Sequence, residues 1–375
     1  MKSKNKYIVG AITIVFIILI LYSLQPISNE AIKGNIVVWA NDYTYDYLFK
    51  VAKEFEENNK RTKIKVINIS NDEYLNSIKN VEKEKLPNIA NLNFIDIQNL
   101  HEKVEIISET NEIIETYRNN FNKNRVKQIE YNEKYMGVPL TSRPIAFFIR
   151  KDILNEYGYK VEDINTWENL FKIGIDIFNK TNGDIRIFSS KDIDNIKLLM
   201  SAEAIQESKS DIKAKLIVES NIKNIFNTEL ISYYGDNNYM ARIGSIEIIN
   251  ELNNELLGGK WICKLPPSIN IGANKFYDLD GENLVVLNSD ESNIRLIKNF
   301  MIYAATNVDL LQKQLVESRM FPSSLYTYKD KSIENAVKNT NENKSSPFII
   351  FSNISERAPV LKNYKLLKDI IENSY

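Results

Sequence analysis

Apolar and polar positions along the chain change their period every ten residues or so. NIVVWA, residues 35–40, is a short, nearly unbroken apolar run, as expected of a strand covered on both faces. After the polar turn Asn41-Asp42-Tyr43, apolar side chains fall at Tyr47, Leu48, Val51, Ala52 and Phe55, the spacing of one helix face. Asn58-Asn59 ends that helix, and KIKVINI, residues 63–69, alternates as a half-buried strand does. A helix over about 72–85 leads through Leu86-Pro87 into a second apolar run at 89–92. This βαβαβ order predicts an α/β domain with a mainly parallel sheet between helices. In such sheets ligands sit beyond the carboxyl ends of the strands, which is where the loops 41–44 and 93–96 fall. Asn and Asp in those loops serve turns and helix caps as readily as ligands.

The next informative stretch is GVPLTSRPIAFFIRKDIL, residues 137–154. It places Arg143 between Pro139 and Pro144 and runs on into the apolar segment 145–149. A second lobe starts there. Residues 152–157 read as a helix closed by Gly158, and Thr166 caps another whose apolar face continues through Phe171, Ile175 and Phe178. The region 205–258 is polar and weakly periodic and supports no assignment. Further on, 282–288 reads as a strand and 294–305 and 308–316 as amphipathic helices, followed by MFPSS at 320–324. Residues 339–346 read as a solvated loop.

The first thirty residues stand apart. Lys2, Lys4 and Lys6 precede YIVGAITIVFIILILYSL, residues 7–24, and no charge follows until Glu30. At helical rise this run spans about 27 Å, roughly one hydrocarbon core. It is longer than the apolar part of a usual secretory signal, and no small-residue cleavage site or lipid-accepting cysteine follows it. These features favour an uncleaved membrane anchor over a cleaved signal. On either reading the lysines stay inside and residues 31–375 lie outside the cell membrane.

Composition narrows the chemistry. A length of 375 residues argues for two lobes, and a net charge of −1 gives no global field for nucleic acid. The single cysteine, Cys263, excludes an internal disulfide and sits in an alternating strand-like run as a buried structural thiol. The single histidine, His101, has a helical and exposed setting. Gly-x-Ser-x-Gly, HExxH and calcium-loop spacings are absent, and 12 glycines form no phosphate-cradling loop. A glycosidase needs only two carboxylates, so 49 acids leave that chemistry open by count alone. The rest of the sequence argues against an enzyme.

Four stretches carry a family resemblance: NIVVWANDYTYDYLFKVAKEFEENN; EKYMGVPLTSRPIAFFIRKDILNEYGYKVEDINTWENLFKIG; GGKWICKLPP; and ENLVVLNSDESNIRLIKNFMIYAATN running on to MFPSS. In this order and spacing the chain resembles the family-1 extracellular solute-binding proteins of bacterial ATP-driven importers. The resemblance covers most of residues 35–325. It implies a two-lobed, type II periplasmic-binding-protein-like fold preceded here by the N-terminal transmembrane helix. Lobe 1 would comprise 31–140 plus 281–324 and lobe 2 141–280 plus 325–375, with hinge strands near 139–146 and 280–287. The implied function is capture of a carbohydrate in the interlobe cleft, hinge closure, and delivery to permease subunits. The protein would act as a monomer, without a cofactor, tethered to the outer face of the membrane. The alternative is a tethered sensor or scaffold with no transport role.

Matched residue by residue, the resemblance places Asn41, Asp42 and Tyr43 in the first ligand loop and Asn93 and Asp96 in the second. Ser142 and Arg143 lie on the first hinge strand. There the Arg143 guanidinium either grips an anion or vicinal hydroxyls, or bridges the lobes through a salt link to a carboxylate. Ile246 stands where sugar binders of the family carry a stacking tryptophan, so one aromatic platform is missing. Tyr233, Tyr234 and Tyr239 are the candidates to replace it. Asn88 replaces a usual aspartate, and the segment 220–258 is shorter than the family's.

Overall fold

The computed structural model of the chain describes residues 31–373, apart from 228, 234–237, 253–258 and 330–346, and apart from the side chains of 224–227. The hydrophobic run 7–24 therefore lies outside the described residues. Among the described residues no helix is long and apolar enough to cross a membrane.

Two five-stranded mixed sheets organise the chain. In the first, strand Gly34–Ala40 pairs in parallel with Thr62–Asn68 along its whole length, from Gly34 opposite Thr62 to Ala40 opposite Asn68. Its other edge pairs in parallel with Ile89–Leu92. Beyond that, Asn283–Val286 runs antiparallel to Ile89–Leu92 and to Val138–Pro139. Four strands thus share one direction, and the reversed one arrives from the other sheet. The second sheet repeats this plan. Ile231–Ser232, Arg186–Ser189 and Tyr239–Gly244 are parallel neighbours, and Ala146–Arg150 runs antiparallel between Tyr239–Gly244 and Trp261–Lys264.

The helices cover these sheets as their spacing requires. Helix Tyr45–Asn58 buries Tyr47, Leu48, Val51, Ala52 and Phe55. Phe55 meets Phe300 edge-on at 5.8 Å. Each large side chain buried in this way contributes about 1.5–3 kcal/mol. Helix Trp167–Lys180 starts as its sequence indicates, with the Thr166 side chain accepting from the Asn169 N–H. In the region without legible periodicity, Asp211–Asn227 and Glu247–Leu252 are helices and Tyr239–Gly244 is a strand buried at every position.

Among the described residues the chain passes between the sheets three times. Thr141–Ser142 links Val138–Pro139 to Ala146–Arg150, and residues 278–282 lead back to Asn283–Val286. Phe321–Pro322 pairs antiparallel with Thr141–Ser142 as the third passage. After it the chain runs to helix Pro347–Arg357, which packs on the second sheet. Behind these passages lies Arg125, wholly buried. Its Nε donates to Thr141 O (3.0 Å), and one terminal nitrogen donates to Gly281 O (2.7 Å) and Asn283 Oδ1 (2.8 Å). The other terminal nitrogen donates to Gln128 Oε1. One guanidinium therefore holds two passages together. Gly281 makes this possible: its φ is +140°, and a Cβ there would lie 2.2 Å from Thr141 O.

Candidate functional site

A cavity of about 430 Å³ opens between the two sheets, at the carboxyl ends of the first sheet's parallel strands and beside the passages. Its floor is a hydrogen-bond network around Glu282. The Asn41 amide donates to Glu282 Oε1 (3.2 Å) and the Asn91 amide to Glu282 Oε2 (2.5 Å). The Glu282 N–H donates to Thr141 Oγ1 (2.8 Å), which ties the first two passages side by side. Asn91 is held in turn by Tyr74, whose hydroxyl accepts the Asn91 N–H (3.1 Å) and donates to Trp39 O (2.9 Å).

Asn41, Tyr43, Asn93, Asp96, Ser142 and Arg143 all line this cavity. Not all are free to bind a ligand. Besides its bond to Glu282, Asn41 accepts from the Thr44 N–H and hydroxyl through its Oδ1 (both 3.1 Å). Its oxygen and one amide hydrogen are taken up in this way, so it builds the floor. Asn93 caps the helix Phe94–Asn99 by accepting from the Asp96 N–H (2.9 Å). Ser142 Oγ lies 3.2 Å from Ser323 Oγ on the third passage. Of the two tyrosines in the lining, Tyr43 is 39% exposed and Tyr74 is buried, so Tyr43 is the more open aromatic face.

Three residues expected in the cleft lie elsewhere. Asp42 does not line it, because its two oxygens accept from Asn68 Nδ2 (2.9 Å) and the Asn71 N–H (3.0 Å). It shapes the turn that enters helix Asn71–Asn80. Tyr239 is 3% exposed, tilted against Trp261 at 6.0 Å, with the Arg242 guanidinium over its ring. Ile246 is fully buried in the apolar cluster of Phe148, Ile249, Leu252 and Phe351. At that turn it is the next residue, Glu247, that reaches the cavity. A one-residue offset at a helix start exchanges core and cleft positions. Tyr233 is exposed outside the cavity lining, and Tyr234 lies outside the described residues. His101 is exposed, with Nδ1 3.0 Å from Gln98 O, and does not line the cavity.

The charged residues that sequence reasoning missed are acids. Glu247, Asp280 and Glu282 join Asp96 in the lining. Alternation along the 278–282 passage was a usable signal, since Asp278, Asp280 and Glu282 are spaced by two. Arg143 sits among these acids. Its guanidinium donates to Asn195 Oδ1 (2.9 Å) and lies 3.6 Å from Glu247 Oε1 and 4.0 Å from Asp280 Oδ2. Its backbone N–H donates to Asp278 Oδ1 (2.9 Å). The salt-link alternative thus describes Arg143 as it stands, although its side chain is 38% exposed and reachable through the cleft. Burial pushes Asp96 up to about 7, helped by the negative charges of Glu282 and Asp280. Burial also pushes Glu282 to about 7, against its Asn91 bond and together with Asp280. Asp280 is raised by burial, opposed by Arg143 and Arg125.

A concave, water-accessible site with an aromatic face, hydrogen-bonding acids and one fork of donors is suited to holding a polar solute. Solved structures with this architecture cover nearly the whole chain. A cyclic α-maltosyl-1,6-maltose binding protein from Arthrobacter globiformis superposes with a TM-score of 0.71 at 12% identity, over 92% of this chain and 95% of that one. The sugar-binding protein MalE from Xanthomonas citri gives 0.66 at 14% identity, over 90% of each chain. An ABC-transporter-associated binding protein from B. animalis subsp. lactis, in complex with β-1,6-galactobiose, gives 0.65 at 19%, over 91% and 90%. The fold is that of the two-lobed ABC-transporter binding proteins. In sequence, the chain is 24% identical over 220 residues to a lactose-binding protein from Rhizobium radiobacter. That match spans 52% of either chain, so the chain matches about half the length of this curated relative. No protein-family model matches. In this two-lobed fold the cavity lies between the two sheets, beside the three passages.

Proposed function

We propose that the protein is an extracytoplasmic solute receptor that captures a carbohydrate between its lobes and delivers it to the permease of an ATP-driven importer. The observation that carries this is the coincidence of the shared two-lobed fold with a polar cavity at the hinge, where Tyr43 and Arg143 face carboxylate acceptors. Sugar recognition needs a flat apolar surface for CH groups and polar atoms for hydroxyls, and the lining offers both. Closure would trade the hydration of these groups for ligand contacts, shifting the balance between open and closed lobes. The fold's solved relatives named above are binding proteins, and the site is read here as a binding site without a catalytic role.

Residues 7–24 anchor the receptor to the outer face of the membrane, and 31–140 plus 281–324 and 141–280 plus 325–375 are its lobes. Asp96, Ser142 and Arg143 of the lining contact the ligand, and Tyr43 packs against it. Calorimetric titration with a panel of mono- and disaccharides tests the function. A saturable heat for at least one sugar, lost in Tyr43→Ala, is the expected result. Absence of binding across the panel would overturn it.

A further inference from the structure

An arginine side chain has many rotamers, and a ligand that must order one loses affinity by doing so. In this cavity a residue outside the lining has already ordered Arg143. Asn195, in the first turn of helix Ile193–Glu207, is 8% exposed and does not line the cavity. Its Oδ1 accepts from one terminal nitrogen of Arg143 (2.9 Å). Its Nδ2 donates to Ile243 O (3.0 Å) on strand Tyr239–Gly244. An amide has one donor end and one acceptor end, so the bond to Ile243 turns the oxygen to Arg143. Glu247 and Asp280 lie 3.6 and 4.0 Å from the guanidinium. Those separations attract the charge but are too long to fix its plane by hydrogen bonding. Among the described residues Asn195 is the one hydrogen-bond acceptor of the Arg143 side chain, and Nε and the other terminal nitrogen keep their hydrogens free.

The surroundings of Asn195 are built to the same end. Ile243 is held at both backbone groups, since its N–H donates to Asp192 Oδ2 (3.1 Å), three residues before Asn195. Asp192 is itself fixed by buried Arg242, whose Nε donates to its two oxygens (2.8 and 3.0 Å). Gly244 leaves the space that the amide needs: a Cβ there would lie 2.9 Å from Asn195 Nδ2 and 2.5 Å from Ile248 Cδ1. The helix start and the strand end are thus locked together, and Asn195 carries that rigidity to the guanidinium.

We propose that Asn195 is a positioning residue of the binding site, which holds the Arg143 fork in one orientation before the ligand arrives and so sets affinity without touching the ligand. This rests on the receptor reading above and adds to it a residue that the cavity lining does not contain.

The test is a double-mutant cycle on the full chain in mild detergent, titrated calorimetrically with lactose, maltose, galactose and glucose. The four forms are wild type, Asn195→Ser, Arg143→Gln and the double variant. Serine is too short to reach Arg143 and is well tolerated at a helix start. For a sugar that binds, Asn195→Ser is expected to weaken affinity about tenfold while Arg143 is present, and less than about twofold in the Arg143→Gln background. A merely structural role would give the same loss in both. NMR of the arginine side chains in the wild type needs no substitution at 195. Its expected result is separate signals for the two terminal nitrogens of Arg143 without ligand, as for a guanidinium whose rotation is restrained. Equal losses in the two backgrounds, no loss in Asn195→Ser, or one averaged Arg143 signal would each overturn the inference and leave the receptor reading intact. No binding of any of the four sugars by the wild type would overturn both.

Discussion

Removing the buried guanidinium behind the hinge is the sharpest test of how the passages are held. In Arg125→Met the apolar stem is kept, Thr141 O, Asn283 Oδ1 and Gln128 Oε1 lose the guanidinium as donor in a site closed to water, and Gly281 O keeps only its 3.3 Å bond from Asn283 Nδ2. Each orphaned buried acceptor costs about 1–3 kcal/mol, and these costs overlap because relaxation satisfies some of them. Asp278 also loses the positive charge that opposes its desolvation. Breaking a compensated buried charge system costs about 3–5 kcal/mol in total. At about 2 °C of Tm per kcal/mol for a chain of this size, Tm should fall by about 6–10 °C. The pH dependence has a definite sign. Burial already lifts the Asp278 carboxyl to about 6, above its ordinary value, so ionising it costs folded-state stability as pH rises through that window. Without Arg125 the carboxyl rises further, and the defect should be larger at pH 7.5 than at pH 5. Thermal unfolding followed by circular dichroism at both pH values measures this. Adding Asp278→Asn to the variant should recover about 1–2 kcal/mol at pH 7.5 as a coupling energy. A Tm loss under 2 °C, or an equal loss at both pH values, would refute the assignment of Arg125 as the charged clamp of the passages.

Three further outcomes follow from the same geometry. Gly281→Ala places a methyl 2.2 Å from Thr141 O at a φ of +140°; it should cost about 3 kcal/mol or more in urea unfolding, and a loss under 1 kcal/mol would contradict the passage geometry. Glu282 is held at about 7, above its ordinary range, so ionising it weakens the unliganded fold as pH climbs from about 4.5 to 7. Glu282→Gln should flatten that part of the stability profile by about 2–3 kcal/mol between pH 5 and 8, and identical profiles for the two proteins would sink the assignment. Burial raises the Cys263 thiol far above the usual range and leaves it 8% exposed; it should react with a disulfide reagent only at the rate of unfolding, whereas labelling within seconds in native buffer would show an open strand Trp261–Lys264.

The helices with one covered face could be read from spacing alone. Val308–Val316 begins and ends where its amphipathic run does, and Trp167–Lys180 starts at its Thr166 cap. Elements covered on all sides could not. Helix Ile193–Glu207 buries residues around its whole circumference, including Asn195, Ser201 and Glu203, and strand Tyr239–Gly244 is buried at all six positions. A polar side chain in such an element is there for a partner, as when the Trp167 indole donates to Glu203 Oε2 (2.7 Å), and a periodicity rule reads it as surface. The site was partly legible for a related reason. Loop residues 41–43 and 93–96 sit at strand ends, where topology alone marks a ligand edge, although only geometry shows Asp42 turned to Asn68 and Asn71. Ile246 and Glu247 differ by one position at a helix start, below the resolution of matching a short motif. Arg125 gave no signal beyond its charge, since lysine and arginine in a polar helix normally face water.

In the proposed receptor the hinge and the ligand site share residues, and this would set how binding moves the lobes. Thr141, Ser142 and Arg143 on the first passage line the cavity, as do Asp280, Gly281 and Glu282 on the second. The two passages are tied to each other by the Glu282 N–H bond to Thr141 Oγ1 and through Arg125, which holds Thr141 O and Gly281 O from behind. The second passage is tied to the first sheet through Asn41 and Asn91. On the other side, Arg143 is tied to the second sheet through Asn195, which donates to Ile243 O (3.0 Å). A ligand that engages Glu282 and Arg143 together therefore pulls on both sheets through the strands about which they turn. Its contacts differ between open and closed lobes, which is the condition for a ligand to shift that equilibrium at all. A solute held by Asp96 alone would touch one lobe and leave the balance unchanged. On the proposed reading tight binding and closure are separable, and Arg143 is the residue that would join them. Arg143→Gln should accordingly weaken ligand-induced compaction, measured by small-angle scattering with saturating ligand, more than it weakens binding to the first lobe. Full compaction in that variant would mean that closure is driven from elsewhere.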